Sequence, residues 1–102
     1  VEAGDMDELL AISDRVKQRM GPGAAVVLGA VADGKALLTA NLTPEAGAAG
    51  LSARAIIREV APIVGGGGGG KDAMARAGGK DPSRLADALD AARAILTAPR
   101  EA

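Results

Sequence analysis

Apolar side chains near the N-terminus recur at the spacing of an amphipathic helix. They lie at Leu9, Ile12, Val16 and Met20, with mostly charged residues between them. The acidic side chains of Asp5, Asp7 and Glu8 suit the positive end of a helix dipole. This pattern predicts a helix over about residues 5–20, ended by the sequence Gly21-Pro22-Gly23.

Two continuous apolar runs follow, and a turn sequence separates them. Ala24–Ala32 is apolar at every position except Gly29, and Lys35–Leu42 begins directly after Asp33-Gly34. Two such runs around Asp-Gly predict an antiparallel β-hairpin. Because the first run is almost wholly apolar, we expect it to be a central strand that is buried on both faces.

The second half of the chain predicts two further helices. Ser52 can cap a helix over residues 52–64. Asp81 followed by proline is typical of a helix start, and it predicts a last helix over residues 82–97. Between these helices, Ala73–Ala77 fits either a strand or a single helical turn.

These elements predict a small α/β or α+β layer sandwich without internal repeats. The sheet is expected to be mainly antiparallel, to contain the hairpin and to be packed by about three helices. Asn41–Gly50 is predicted to be a connection, Val1–Gly4 could add a short strand, and Pro99 is expected to close the last helix. Residues 1–102 are therefore expected to form a single domain.

Composition excludes several classes of function. The 102 residues include no Cys and no His, so disulfides, Cys/His metal sites, thiol nucleophiles and histidine-based catalysis are impossible. There is also no Phe, Tyr or Trp, which excludes the aromatic platforms of the usual single-strand RNA readers. The apolar runs are too short to cross a bilayer, and no signal-peptide pattern opens the sequence. We therefore expect a soluble, cytoplasmic protein with no membrane partner.

Charge is unevenly distributed although the net charge is only −1. Residues 51–84 carry six basic and three acidic side chains, a local charge of +3. A solvated surface explains such an excess, and so does weak binding of a polyanion.

Six consecutive glycines, Gly65–Gly70, lie inside this basic region. A flexible linker is one interpretation, although the tract is short and stands between apolar segments. A phosphate loop is a second, because Gly65 to Lys71 fits G-x-x-x-x-G-K; however, Asp72 replaces the magnesium-binding Ser or Thr. A third is a loop whose bare backbone N–H groups approach a phosphate chain or another backbone.

The segment from Val64 to Pro82 resembles the signature of one known family. The glycine run is followed by a basic residue, by Met74-Ala75-Arg76-Ala77-Gly78-Gly79 and by Lys80-Asp81-Pro82. This order is similar to the DHH-associated C-terminal domain of alanyl-tRNA synthetases. Ala30–Lys35 looks like the hairpin of that domain and Arg58–Ala61 like the helix before its glycines, so the resemblance covers nearly the whole chain.

The resemblance implies a tRNA-binding accessory role. In this family the C-terminal domain binds the outer corner of alanine-specific tRNA and supports ATP-dependent aminoacylation and editing by upstream domains. ATP, magnesium and zinc belong to those domains, so no cofactor, metal site or catalytic residue is expected among these residues. A preceding helical segment often mediates homodimerisation in the family. The resemblance is therefore consistent with a homodimer formed through that segment or through this domain.

Two alternatives stay open beside this role. A related domain forms the substrate-binding lobe of DHH phosphoesterases, where the glycine run typically leads into a histidine. Lys71 stands at that place here, which favours the synthetase branch. The other alternative is a purely structural dimerisation module, in which the glycines only allow close packing.

The candidate tRNA contacts are the glycine tract and the basic side chains around it. Glycines let backbone N–H groups approach a phosphate without a Cβ in the way, and basic side chains bind phosphates directly. The predicted residues are Gly65, Gly66, Gly67, Gly68, Gly69, Gly70, Lys71, Arg76 and Lys80, with Arg54 and Arg58 flanking them.

Overall fold

A four-stranded antiparallel sheet with helices on both faces forms the domain. The computed structural model describes residues 4–21, 25–48 and 50–97. Its helices are α1 (Met6–Met20), α2 (Pro44–Ala48), α3 (Ala53–Val60) and α4 (Leu85–Thr97). Its strands are β1 (Ala25–Ala32), β2 (Lys35–Leu42), β3 (Gly66–Gly70) and β4 (Met74–Gly79), in the sheet order β1-β2-β4-β3. The predicted α+β layer architecture is confirmed.

The predicted hairpin is present, with one correction to its position. Ala32 pairs with Lys35 across the Asp33-Gly34 turn, where both turn residues have positive φ, 51° and 72°. Such angles are those of the two-residue turn that matches strand twist. However, β1 is an edge strand and not a central one. Its apolar sequence is explained by α1 on one face and α4 on the other, while β2 occupies the interior of the sheet.

The two faces of the sheet have separate cores. On one face, Leu9 of α1 packs on Ala30, with Leu28 and Leu37 around them. The opposite face carries the larger core, formed by β2 and β4 against α3, α4 and a 3₁₀ turn at Ala61–Val64. Its largest fully buried side chains include Leu38, Ile56, Ile57, Val60 and Val64.

Capping residues set the starts of the helices as the sequence predicts. Asp5 Oδ1 accepts the N–H of Glu8 at 2.8 Å at the start of α1, and Ser52 Oγ accepts the N–H of Ala55 at 3.2 Å at the start of α3. Asp81 accepts from Ser83 and begins a 3₁₀ turn, Pro82–Arg84, that leads into α4. The helix predicted over residues 52–64 is an α-helix to Val60 and continues as the 3₁₀ turn, where Pro62 lies.

The structure corrects the expectation for one segment and specifies the structure of two others. Gly66–Gly70 was expected to be a loop and is strand β3, paired with β4 along its whole length. The predicted connection Asn41–Gly50 contains the short helix α2, and the ambiguous segment Ala73–Ala77 contributes to strand β4. The expectations for residues 1–3 and for Pro99 lie outside the described residues. Among the described helices, none is long and apolar enough to cross a membrane.

Candidate nucleic-acid interface

One half of a sheet face is open in the described structure. Helix α1 packs on β1 and β2, and the same face of β3 and β4 lies beside it without a covering helix among the described residues. The result is a shallow groove of about 400 Å³. It is lined by the first residue of α1 and by the hairpin strands: Met6, Gly67, Gly68, Gly69, Arg76, Ala77 and Gly78.

Packing against strand β4 requires glycine at three positions of β3. A Cβ built at Gly66 would overlap the carbonyl oxygen of Gly78, and one at Gly68 would overlap that of Arg76. Gly70 has the same restriction, with a left-handed φ of 152° in addition. Any other residue at these positions would force the two strands apart, so the fold itself explains these glycines.

Glycines on the open half-face have no such explanation. A Cβ at Gly67 or Gly69 would meet no atom within 4 Å, and one at Gly78 would only touch the carbonyl oxygen of Ala36 at 3.9 Å. None of these three has a left-handed φ. Because packing within the described chain would accept a side chain at each, the bare surface suits close approach by a molecule outside it.

Three predicted cations surround the β3–β4 hairpin. Arg76 lies opposite Gly69 in the strand register and borders the open groove. Lys71 stands at the tight turn, where its N–H donates to the Met74 carbonyl at 2.8 Å, and Lys80 directly follows β4 at the other end. All three side chains belong to exposed residues. The structure therefore places a positive charge at each end of the hairpin and one at its centre.

The other two predicted cations lie in a different layer. Arg54 and Arg58 are exposed residues of α3, which packs on the opposite side of the sheet from the open groove. Arg54 lies 4.0 Å from the Asp72 carboxylate, which also accepts the hydroxyl of Ser52 at 2.7 Å. Asp72 thus ties the hairpin turn to α3 and offsets part of the Arg54 charge.

The phosphate-loop interpretation does not fit the backbone. A phosphate loop of that type leads into a helix whose N-terminal N–H groups face the phosphates. Here Lys71 begins a turn into strand β4. Among the residues that the structure describes, no three acidic side chains form a group that could hold a metal ion.

Sequence reasoning missed two contributors to the groove. The contacts predicted from the sequence do not include Gly78, which is exposed, whereas its neighbour Gly79 is buried, with Val64 where its Cβ would stand. They do not include Met6 either. The period-two alternation of strand β4 places Gly78 on the same face as Arg76, and it is the signal that could have found Gly78 once β4 is known to be a strand. No sequence signal could have found Met6, because its place in the groove depends on where α1 docks.

Solved structures of other proteins share this fold. The chain superposes on the C-Ala domain from Aquifex aeolicus alanyl-tRNA synthetase with a TM-score of 0.83 and 28% identity, over 94% of this chain and 85% of that one. A DHH-domain member of the s1p family of ribosomal proteins shares the fold at a TM-score of 0.58 and 16% identity, over 88% of this chain and 20% of that one.

Sequence comparison decides the family. Residues 1–98 match the DHHA1 domain. The chain belongs to the DHHA1 domain family. This DHHA1 domain is 49% identical over 94% of its length to alanine–tRNA ligase from Desulfitobacterium hafniense, and 47% identical over 86% to that from Pelotomaculum thermopropionicum. It spans about a tenth of those relatives, 11% and 10% respectively. The resemblance to the C-terminal domain of alanyl-tRNA synthetases is confirmed.

Proposed function

We propose that this DHHA1 domain is the tRNA-binding accessory domain of a cytoplasmic alanine–tRNA ligase. In this role it holds the outer corner of alanine-specific tRNA, so that aminoacylation and editing by other domains act on one bound molecule. ATP, magnesium and zinc serve those other domains, and this domain holds none of them. The proposal rests on the similarity to alanine–tRNA ligases and to a C-Ala domain.

One observation carries the proposed contact surface. Gly67, Gly69 and Gly78 leave the open half-face bare although packing would accept side chains there, and Arg76 stands beside them. Close backbone approach and a fixed positive charge together suit contact with a ribose-phosphate chain. Phosphate contacts position a nucleic acid without reading its sequence, which suits recognition of the shape of tRNA.

A side chain placed on the bare surface tests the proposal. We expect Gly67→Val to weaken binding of an in-vitro tRNA transcript at least about tenfold, because the branched side chain would stand between the backbone and the RNA. Fluorescence anisotropy in low salt measures the affinity, and circular dichroism verifies the fold.

The matched control adds similar bulk on the far side of the sheet. Ala55→Val on the exposed side of α3 is expected to leave tRNA affinity within about twofold. Equal affinity of Gly67→Val and the unchanged chain would remove the open half-face from the proposal.

A further inference from the structure

The outer edge of β3 presents unpaired backbone groups in a fixed pattern. The Leu42 N–H donates to the Ala73 carbonyl and the Lys71 N–H to that of Met74, both at 2.8 Å. Together with the strand register, these bonds show that the backbone N–H and C=O groups of successive β4 residues are directed alternately toward β2 and toward β3. The backbone groups of Arg76 and Gly78 are therefore directed toward Gly69 and Gly67, their partners in β3.

The remaining glycines of β3 point the other way. By the same alternation, Gly66, Gly68 and Gly70 direct their N–H and C=O groups out of the sheet, where no other described strand pairs with them. Edge strands are usually guarded by charged side chains, prolines or bulges. This edge has no side chain at all, and packing against β4 forbids one at these positions.

The chemistry of the edge restricts what can bind along it. Each outward glycine offers one donor and one acceptor, and the pairs repeat about every 6.8 Å, twice the rise of a strand residue. A phosphate accepts hydrogen bonds but donates none, so it can satisfy the N–H groups alone. The carbonyl groups accept from a donor, and within the sugar-phosphate backbone of a nucleic acid only the ribose 2′-hydroxyl can replace water as that donor.

Charge favours a polyanion over a protein strand at this edge. Lys71 and Lys80 lie at the two ends of the hairpin and Arg76 at its centre, all exposed. A second copy paired through β3 would bring glycine against glycine and bury no side chains, far from the roughly 1,200 Å² typical of stable interfaces.

We propose that the β3 edge distinguishes RNA from DNA, with the N–H groups of Gly66, Gly68 and Gly70 on phosphates and their carbonyls accepting ribose 2′-hydroxyls. This inference rests on the proposed function, because it requires that RNA binds the hairpin. It adds recognition of the ribose 2′-hydroxyl, which distinguishes RNA from DNA, whereas the phosphate charge does not.

Modified RNA tests the edge without altering the protein. A tRNA transcript made with 2′-fluoro nucleotides keeps its phosphates but loses the hydroxyl donors along its length. We expect the 102-residue chain to bind it about tenfold more weakly than the unmodified transcript, because the hydrogen bonds from 2′-hydroxyls to the three edge carbonyls would be lost. The dependence of affinity on salt should be unchanged, because the phosphate contacts remain.

Amide hydrogen exchange locates the contact on the edge. Free edge amides exchange rapidly, so unmodified RNA is expected to slow exchange at Gly66, Gly68 and Gly70 at least tenfold. Gly67 and Gly69, whose N–H groups are directed toward β4 by the alternation of the strand register, serve as internal controls and should change little.

The outcomes separate the inference from the proposed function. Two results would overturn the recognition of ribose by the β3 edge and leave the proposal of tRNA binding intact. One is equal affinity for the two transcripts, and the other is RNA binding without protection of the edge amides. Absence of any RNA binding would overturn both. Protection of the edge amides that rises with protein concentration in the absence of RNA would instead identify a strand-paired dimer and overturn the inference.

Discussion

The side-chain nitrogen of Asn41 lies beneath α1, 2.7 Å from a carboxylate oxygen of Asp14. The same amide group also donates to Ser13 Oγ at 3.2 Å, and its oxygen accepts from Lys17 Nζ at 3.0 Å. Asn41 is only 1% exposed and Ser13 is fully buried, so this polar group fixes α1 on β2 in one register. Because Met6, the first residue of α1, lines the groove, the docking of α1 bears on the proposed binding surface.

Removing this amide is expected to destabilise the domain. Asn41→Ala leaves a cavity and breaks three hydrogen bonds in a buried setting, which costs about 1–3 kcal/mol of unfolding free energy. The midpoint of thermal unfolding should fall by about 4–8 °C per kcal/mol. Gln18→Ala, on the exposed side of α1, is the control and should change stability by less than about 0.5 kcal/mol. Equal stability of both variants would show that the polar group does not hold α1.

Alternation along β3 predicts opposite effects for neighbouring glycines. Gly68→Ala should lower the free energy of unfolding by about 1–3 kcal/mol, because its Cβ would overlap the Arg76 carbonyl and Ala77. Gly67→Ala meets open space and should stabilise the fold by about 0.4–1 kcal/mol through the unfolded chain. Denaturant unfolding measures both. Similar losses for the two variants would contradict the strand register of β3.

Basic residues around the hairpin should determine the salt dependence of RNA binding. Arg76→Gln is expected to reduce the slope of log affinity against log salt by about one unit, because one phosphate contact is lost. Replacing Lys71, Arg76 and Lys80 together by alanine should reduce it by about two to three units. Titration of a tRNA transcript over a salt series gives these slopes.

Arg58→Gln is the matched control for these charge changes. It removes the same charge from α3, on the far side of the sheet from the groove, and a smaller change of slope than for Arg76→Gln is expected. Unchanged affinity and slope in the triple variant, with its fold intact, would remove the hairpin cations from the candidate site.

No catalytic activity is expected from the 102-residue chain itself. It has no histidine or cysteine, and its described acidic residues form no group that could hold a metal ion. We expect the rates of ATP hydrolysis, aminoacylation, deacylation and phosphodiester cleavage to equal those of buffer without the protein, with and without magnesium or manganese. Reproducible metal-dependent cleavage of oligonucleotides would promote the phosphoesterase alternative.

The sequence by itself determined the elements that depend on local patterns. Helical spacing and caps at Asp5 and Ser52 fix α1 and α3, because these signals act within a few residues. The Asp33-Gly34 turn fixes the first hairpin, since few residue pairs accept two positive φ angles. The motif from Val64 to Pro82 also carries the family resemblance.

Only the tertiary structure decided the role of the glycines and the order of the strands. A run of glycines has no hydrophobic period, so Gly66–Gly70 gives no strand signal; it becomes a strand because β4 supplies a paired partner. β1 is apolar enough for a central strand but lies at the edge, because helices cover both of its faces. Which glycines are packed and which are bare follows from the β3–β4 register, a relationship between strands that no local pattern encodes.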